Sequence, residues 1–185
     1  MRILDAAAGS GSLLRTLWKR AQDKQLPLRL GANDLDPALV RSLRTRFAAE
    51  GIPCSARVVD ARQMAGLASG SWDVALLSNT LHHFSSRDAG WCLRELDRVS
   101  GGGALVFDID RSFLGLLSIP AVVSLLAPRS FPYCASDGIT SVRRAFTARE
   151  LEELLDDAGL RWKYRVGPLP TPHPQRWITN AILPA

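Results

Sequence analysis

The chain has 185 residues and a mass of 20.2 kDa, and its 46% apolar and 22% charged residues fit one globular domain. The net charge of +5 comes from basic residues scattered along the chain, so it does not imply a nucleic-acid partner. The longest apolar run, residues 113–127, contains Pro120 and is too short to cross a bilayer. The first residues lack the pattern of a secretory signal, and we expect a cytoplasmic protein.

The three cysteines, Cys54, Cys92 and Cys134, lie far apart in the sequence and include no C-x-x-C pair. This spacing is not typical of a zinc site or of a disulfide framework. We therefore expect free, buried thiols and no metal site.

Apolar strand-like runs alternate with helical patterns in the first third of the chain, which predicts βα units and a mainly parallel sheet. We predict strands over residues 3–4, 28–30 and 57–59, and helices over residues 12–24 and 37–50. Asp36 is expected to cap the second helix, in which Pro37 takes the first position and Leu39 faces inward.

The same alternation continues to the end of the chain. We predict strands over residues 72–77, 104–109, 160–166 and 177–183, and helices over residues 85–99 and 147–158. Thr147 and Glu150 have the spacing of a capping box for the last helix. Residues 111–141 are apolar and then proline-rich, which fits a lid over a substrate, a packing helix or a dimer contact equally well.

The turn after the first strand carries the strongest functional signal. It follows an acidic residue, Asp5, and consists of small residues up to Gly9 and Gly11, which allow a ligand to approach the backbone closely. A dinucleotide-binding turn counted from Gly9 would have its third glycine at position 14, where this chain has Leu14. The sequence thus disfavours a nicotinamide cofactor, and an ordinary βα turn stays an alternative.

The run ILDAAAGSG, residues 3–11, resembles the first motif of class I S-adenosylmethionine-dependent methyltransferases, an acid followed by glycines at alternating positions. Alanine stands where the family has its first glycine. The resemblance implies that the cofactor is S-adenosylmethionine and that this motif binds it through Asp5, Ala7, Gly9, Ser10 and Gly11.

Two further acidic positions match the family in order. Asp34 ends the second strand, where a carboxylate can accept hydrogen bonds from both ribose hydroxyls of a nucleoside, with Leu35 beside it. Asp60 and Ala61 close the third strand, where the family holds the adenine ring. The alternatives are that Asp34 caps the next helix, as Asp36 does, and that Asp60 faces water.

The stretch from Asp73 to Phe84 resembles the family's fourth-strand motif and implies that Ser78 and Asn79 lie beside the cofactor. Asn79 is not followed by the two prolines common in enzymes that methylate base amino groups, which argues against a nucleic-acid substrate. His82 and His83 are candidate general bases, or else cap or packing residues. Asp108 and Asp110 are further ionisable candidates.

Together these motifs imply a three-layer α/β/α sandwich, Rossmann-like, with a mostly parallel seven-stranded sheet and an antiparallel last strand. A looser likeness over residues 136–147 points to the small-molecule branch that acts on quinones and polyketides. The implied reaction is methyl transfer to an oxygen or carbon of a small apolar acceptor. The alternatives are a nicotinamide-dependent oxidoreductase and a non-catalytic subunit that binds a partner, or a second copy, through residues 113–127.

The first strand begins at Arg2, whereas relatives usually have helices before it that cover the substrate. The sequence given is therefore expected to be either a fragment of a longer protein or a minimal single domain. In a minimal domain, residues 111–141 or a partner would have to supply the lid.

Overall fold

The computed structural model describes residues 1–111, 140–168 and 179–185. Within them the strands are β1 (Arg2–Asp5), β2 (Arg29–Asp34), β3 (Cys54–Val58), β4 (Val74–Ser78), β5 (Ala104–Ile109), β6 (Tyr164–Pro168) and β7 (Thr179–Pro184). The helices are α1 (Ser12–Asp23), α2 (Pro37–Ala49), α3 (Ser86–Val99) and α4 (Ala148–Ala158), and a 3₁₀ turn covers Leu81–His83.

The seven strands form one sheet in the order β3-β2-β1-β4-β5-β7-β6. Strands β1 to β5 are parallel to one another, and β7 pairs antiparallel with both β5 and β6. The predicted fold, mostly parallel with an antiparallel last strand, is confirmed. The strand order reverses between β1 and β4, and open α/β sheets bind ligands at the carboxyl ends of the strands beside such a reversal.

Helices cover both faces of the sheet because successive residues of each strand point to opposite faces. On one face, Ile3 and Leu76 share a core with residues of α1 and α2 such as Leu14 and Phe47. On the other face, Leu4 packs in a second core with Leu96 and Leu151, from α3 and α4. This arrangement is the predicted three-layer sandwich.

The helix ends follow the capping predictions. The Asp36 carboxylate accepts a hydrogen bond from the Ala38 N–H at 2.7 Å, with Pro37 as the first helical residue of α2. At the start of α4, Thr147 and Glu150 form the reciprocal bonds of a capping box.

Three local predictions were wrong. β3 begins at Cys54 rather than at residue 57, because it is an edge strand whose exposed Ser55 and Arg57 hide the apolar pattern. β6 begins only at Tyr164, since the backbone N–H and guanidinium of Arg161 bind the buried Asp97 and hold the preceding residues in a loop. Leu39 does not face the core and is 39% exposed.

Most of the predicted lid, the apolar run 113–127 and Cys134 lie outside the described residues. Of the two remaining cysteines, Cys92 is buried and Cys54 is half-buried, and burial raises the pKa of both thiols to about 12. No helix in the described part of the chain is long and apolar enough to cross a membrane.

Candidate active site

A cavity of about 470 Å³, here called the first cavity, opens at the carboxyl ends of β1, β2 and β4 and beside the loop after β3. Its lining consists of Ala6, Ala7, Ala8, Gly9, Asp34, Leu35, Leu39, Asp60, Ala61, Arg62, Ser78, Asn79, Thr80, His83 and Phe84. Eight of the eleven residues that the sequence assigned to the cofactor lie on this lining. The three that do not are Asp5, Ser10 and Gly11.

Backbone hydrogen bonds connect the turn after β1 to the two neighbouring strands. The N–H of Ala6 donates to the carbonyl of Leu76 in β4, and the N–H of Ala8 donates to the carbonyl of Asn33 in β2. Gly9 follows with a φ of 51°, and a Cβ built there would meet no atom of the described part of the chain within 4 Å. The first cavity is thus walled on this side by bare backbone, as close approach of a ligand requires.

Gly11 serves packing rather than the cavity. Its φ is 72°, and a Cβ built on it would lie 2.8 Å from Leu43 Cδ1 and 3.0 Å from Phe47 Cζ. Glycine is therefore required because α2 packs directly against the start of α1. Ser10, between the two glycines, is exposed and does not line the first cavity.

Asp5 lies under the turn and not in the cavity. It is 2% exposed, and its Oδ1 has no hydrogen-bond partner among the described residues. Burial raises the pKa of this carboxyl to about 7, and the nearby charge of Asp34 adds to the rise. Asp5 is therefore a buried group poised between its neutral and charged forms near neutral pH.

Asp34 joins the turn to the end of β2. Its Oδ2 accepts a hydrogen bond from the Gly9 N–H at 2.8 Å, and its Oδ1 accepts one from the Asp36 N–H at 3.0 Å. A carboxylate oxygen can accept two hydrogen bonds, and each Asp34 oxygen accepts one of these backbone bonds. Both oxygens therefore keep capacity for a donor in the first cavity. The cap of α2 comes from Asp36, as predicted, and not from Asp34.

Asp60 is engaged by an arginine that the sequence analysis missed. Arg62 donates to both Asp60 oxygens from its guanidinium, at 2.7 to 3.1 Å, and to Oδ1 from its backbone N–H at 2.8 Å. These bonds hold the pKa of Asp60 below its usual range. The Asp-x-Arg spacing allows an aspartate turn and could have suggested the pair. Ala61, between them, is buried at the cavity wall.

Ser78 and Asn79 end β4 beside the turn. Asn79 adopts a φ of 50°, a left-handed conformation that asparagine tolerates better than other side-chain-bearing residues. Its N–H donates to the Phe107 carbonyl at 2.8 Å, which fixes the exposed side chain at the rim of the first cavity. Unusual backbone of this kind is concentrated at functional sites.

A second cavity of about 350 Å³ adjoins the first, and the two share His83 and Phe84. Its lining consists of His82, His83, Phe84, Ser85, Ser86, Arg111, Arg143, Arg144, Ala145, Phe146 and Glu150. These residues come from the turn after β4, the end of β5, residues 140–146 and the start of α4.

His82 is held by Asp108 from β5. Its Nδ1 lies 2.6 Å from Asp108 Oδ1, and its backbone N–H donates to Oδ2 at 2.8 Å. Both side chains are about 4% exposed. A carboxylate only accepts, so Nδ1 carries the proton and Nε2 is left as the basic nitrogen. Asp110, the other acid predicted here, instead accepts from the Asn180 amide at 2.9 Å.

His83 is exposed at the boundary of the two cavities, and its ring centroid lies 4.1 Å from that of His82. Phe84 forms the other shared wall, with the Arg62 guanidinium 5.8 Å from its ring centroid. The two cavities thus share two aromatic side chains on their linings.

A third cavity of about 700 Å³ lies at the opposite edge of the sheet, near Met1, Leu26 and Leu28. It is larger and mainly apolar, but it sits at the amino ends of β1 and β2, where parallel sheets do not collect their ligands. The candidate site is therefore the pair of cavities at the carboxyl edge.

Comparison with solved structures places this fold among methyltransferases. A SAM-dependent methyltransferase from Aquifex aeolicus superimposes with a TM-score of 0.65 at 18% identity, over 98% of this chain and 80% of that one. The CMeT domain of the citrinin polyketide synthase gives 0.70 at 18% identity, over 98% and 45%. The plantazolicin methyltransferase BamL gives 0.68 at 17% identity, over 91% and 58%. The chain thus spans about half the length of the last two.

No curated protein matches the chain. A family model described as a methyltransferase domain matches residues 3–103, more than half of the chain, which run from β1 to the turn before β5 and carry all four predicted cofactor motifs. S-adenosylmethionine is the cofactor of this family. The chain belongs to the methyltransferase domain family, with the class I S-adenosylmethionine-dependent fold.

Proposed function

We propose that this protein transfers the methyl group of S-adenosylmethionine to an oxygen or carbon of a small acceptor. The observation that supports this most is the convergence of four separate motifs on the first cavity. Gly9, Asp34, Asp60 and Asn79 come from four different strand ends, in the order of the family, and all line that cavity.

The residues present fit the cofactor. The first cavity lies within the range of small-molecule sites, which is roughly 300 to 1,000 Å³. The empty space that a Cβ at Gly9 would occupy lets a ligand reach the backbone. The lining combines the acids Asp34 and Asp60 with Arg62, which offer hydrogen-bond acceptors and donors to a nucleoside. It also contains Leu35 and Leu39, which offer apolar contacts. Leu35 is 62% exposed and lines the first cavity, so a bound ligand would cover part of its apolar surface.

Each acid has a distinct task in the proposal. Asp34 accepts hydrogen bonds from the two ribose hydroxyls, with its carboxylate already oriented by the N–H groups of Gly9 and Asp36. Asp60 is fixed by Arg62, so only its remaining lone pairs reach an adenine amino group, and Ala61 packs beside the ring. Asp5 and Gly11 do not contact the cofactor in this proposal. Asp5 supports the turn from the protein interior, and Gly11 allows α2 to pack against the start of α1.

When bound, S-adenosylmethionine supplies an electrophilic methyl group on a positively charged sulfur. The chain contributes chiefly alignment, since holding the nucleophile about 3–3.5 Å away and in line removes much of the entropic barrier. His83 and Phe84, where the cavities meet, would border the reacting atoms.

His82 is the proposed general base for an acceptor that must lose a proton. Asp108 holds its Nδ1–H, so Nε2 takes the proton from a hydroxyl or an acidic carbon in the second cavity. Asp108 then stabilises the resulting imidazolium, and burial strengthens that interaction. His83 would contribute to positioning at the boundary.

The acceptor class, an aromatic or polyketide-like small molecule, is part of the proposal. It is supported by the likeness over residues 136–147 and by fold neighbours that include a polyketide synthase CMeT domain and the DszA carbon methyltransferase. The proposal keeps the cytoplasmic location expected from the sequence. A second copy or partner bound through residues 113–127 stays a prediction.

Incubation of a cell extract with methyl-labelled S-adenosylmethionine, followed by mass spectrometry, tests the proposal. A labelled phenol, quinone or polyketide is the expected product, whereas labelled RNA would contradict it. Thermal shift separates the alternatives, because a ligand that binds only the native state stabilises it. We expect stabilisation by S-adenosylhomocysteine and none by NADH. Stabilisation by NADH alone would favour an oxidoreductase. If neither ligand stabilises the protein, the result would favour a non-catalytic subunit.

A further inference from the structure

The second cavity carries a charge pattern that methyl transfer by itself does not require. Three arginines line it, Arg111 at the end of β5 and Arg143 and Arg144 in the helical turn over residues 140–144. The acidic side chain on the same lining is Glu150. The lining of the second cavity therefore carries an excess of positive charge next to the proposed base, His82.

Glu150 does not neutralise all three cations. Its Oε1 is bound by Arg111, while its Oε2 accepts from the Thr147 N–H at 2.8 Å and from the Thr147 hydroxyl at 3.0 Å. These bonds hold the pKa of Glu150 below its usual range, so Glu150 carries one negative charge on a lining with three arginines. Among the described residues, Arg143 and Arg144 have no ion pair with any carboxylate.

The other acids near the second cavity are also engaged. Asp108 accepts from the backbone and ring of His82 and from the Ile109 N–H at 2.7 Å. Asp110 accepts from Asn180, whose amide also reaches the Phe146 carbonyl at 3.3 Å. Arg143 and Arg144 thus face a cavity in which each nearby described carboxylate already accepts at least one hydrogen bond from another group.

We propose that the acceptor carries an oxyanion, a carboxylate or a phosphate, which Arg143 and Arg144 bind in the second cavity while its nucleophile lies toward His82 and His83. The planar guanidinium fork matches both anions and binds them through two parallel hydrogen bonds. Arg111 also lines this cavity, where it forms an ion pair with Glu150. This inference rests on the proposed function, because it names the acceptor class of the same site.

The anion would fix the direction in which the acceptor enters. Its charged end would lie at the two arginines, which line the second cavity but not the first, and its reacting end at His83 and Phe84, which line both. Such anchoring uses binding energy at a distant group to align the reacting one. A neutral acceptor of the same shape would lack this anchor.

Calorimetric titration with benzoate, phenyl phosphate and neutral benzamide tests the proposal, with and without saturating S-adenosylhomocysteine. We expect one or both anions to bind more tightly than benzamide. The Arg143→Gln/Arg144→Gln variant should weaken anion binding by about tenfold or more and leave benzamide unchanged. Benzoate and phenyl phosphate together distinguish a carboxylate from a phosphate acceptor.

The matched control is Arg41→Gln/Arg149→Gln, which removes the same charge from exposed positions off the second cavity. It should bind the anions like the wild type. Equal affinity for benzoate, phenyl phosphate and benzamide, or equal anion affinity in both double variants, would overturn the proposal.

Titration of S-adenosylhomocysteine into the same proteins separates the proposal from the function on which it rests. Unchanged affinity in Arg143→Gln/Arg144→Gln is expected. A marked loss would assign the arginines to the cofactor's own carboxylate and overturn the proposal. If the wild type fails to bind S-adenosylhomocysteine, the proposed function fails, while the anion titrations without it still decide the charge preference of the second cavity.

Discussion

The two adjoining cavities differ in what builds them. The first is formed by backbone turns and acidic side chains at consecutive strand ends, all within residues 6–84. The second is formed by histidine and arginine side chains brought together from residues 82–111 and 143–150. The buried carboxylates beneath them differ as well. Asp108 accepts three hydrogen bonds, whereas Asp5 has an oxygen with none.

In our proposal, the first cavity binds the cofactor and the second binds and activates the acceptor, and the difference in construction follows from these two roles. A cofactor shared by a whole family is held by a local pattern along the chain, which survives in a motif. An acceptor that differs between enzymes is held by side chains that only the tertiary fold brings together. The predictions below test whether the two cavities act separately.

The largest effect is expected at Asp34. Asp34→Ala would remove the two proposed charge-assisted hydrogen bonds to the cofactor and also the acceptor of the Gly9 N–H, so affinity for S-adenosylhomocysteine should fall at least about 10³-fold by calorimetry. Asp36→Ala is the matched control, since it removes the cap of α2 and costs about 1 kcal/mol of stability but no affinity. Equal affinities of the two variants would remove the ribose role.

The next effect is expected in the second cavity. His82→Gln and Asp108→Asn should each lower the methyl-transfer rate about 10²-fold, because the pair acts as one base. Affinity for S-adenosylhomocysteine should stay within about twofold, since neither residue lines the first cavity. Circular dichroism checks that the variants fold. A near-normal rate for either variant would exclude the base role.

The buried carboxyl of Asp5 predicts a pH dependence of stability. Its folded-state pKa of about 7 lies above the ordinary value for an aspartate, so the folded state binds the extra proton and stability falls as pH rises from 5 to 8. The expected fall in the free energy of unfolding is roughly 2 kcal/mol, measured with urea.

Asp5→Asn supplies the comparison for that titration. It replaces the titrating group with a neutral one of the same shape, so its profile over this range should be flatter than that of the wild type. The two proteins differ only at residue 5, so the difference between their profiles reports on that residue. Parallel profiles would mean that Asp5 stays charged throughout.

The smallest effects separate two glycines of one motif. Gly11→Ala forces a left-handed alanine into contact with Leu43 and should cost about 2 kcal/mol of stability. Gly9→Ala meets no protein atom, so it should cost about half as much but place a methyl group in the first cavity and weaken S-adenosylhomocysteine binding. The reverse pattern would contradict the assignment of Gly9 to the cavity.

The fold and the first cavity were largely predictable from the sequence, because periodicity, caps and strand-end acids are local signals. Asp36 and Thr147 show this, since a cap depends on the next three residues only. Local signals failed where a residue's surroundings come from elsewhere. Leu39 fits the apolar stripe of α2, yet it lies on the first cavity and is partly exposed.

The contents of the second cavity were mostly not predictable. His82 and Asp108 were each candidates, but their contact joins residues 26 positions apart and depends on the pairing of β4 with β5. Arg143 and Arg144 gave no signal in a sequence with 23 basic residues. Only their place on a shared lining with His82 distinguishes them from other surface arginines.

A crystal structure with S-adenosylhomocysteine tests the central claim most directly, that the cofactor fills the first cavity and leaves the second to the acceptor. We expect the ribose hydroxyls within hydrogen-bond distance of Asp34 and the sulfur near His83 and Phe84, with the arginines of the second cavity untouched. Density in the third cavity near Met1, or a ligand carboxylate bound by Arg143 and Arg144, would contradict it.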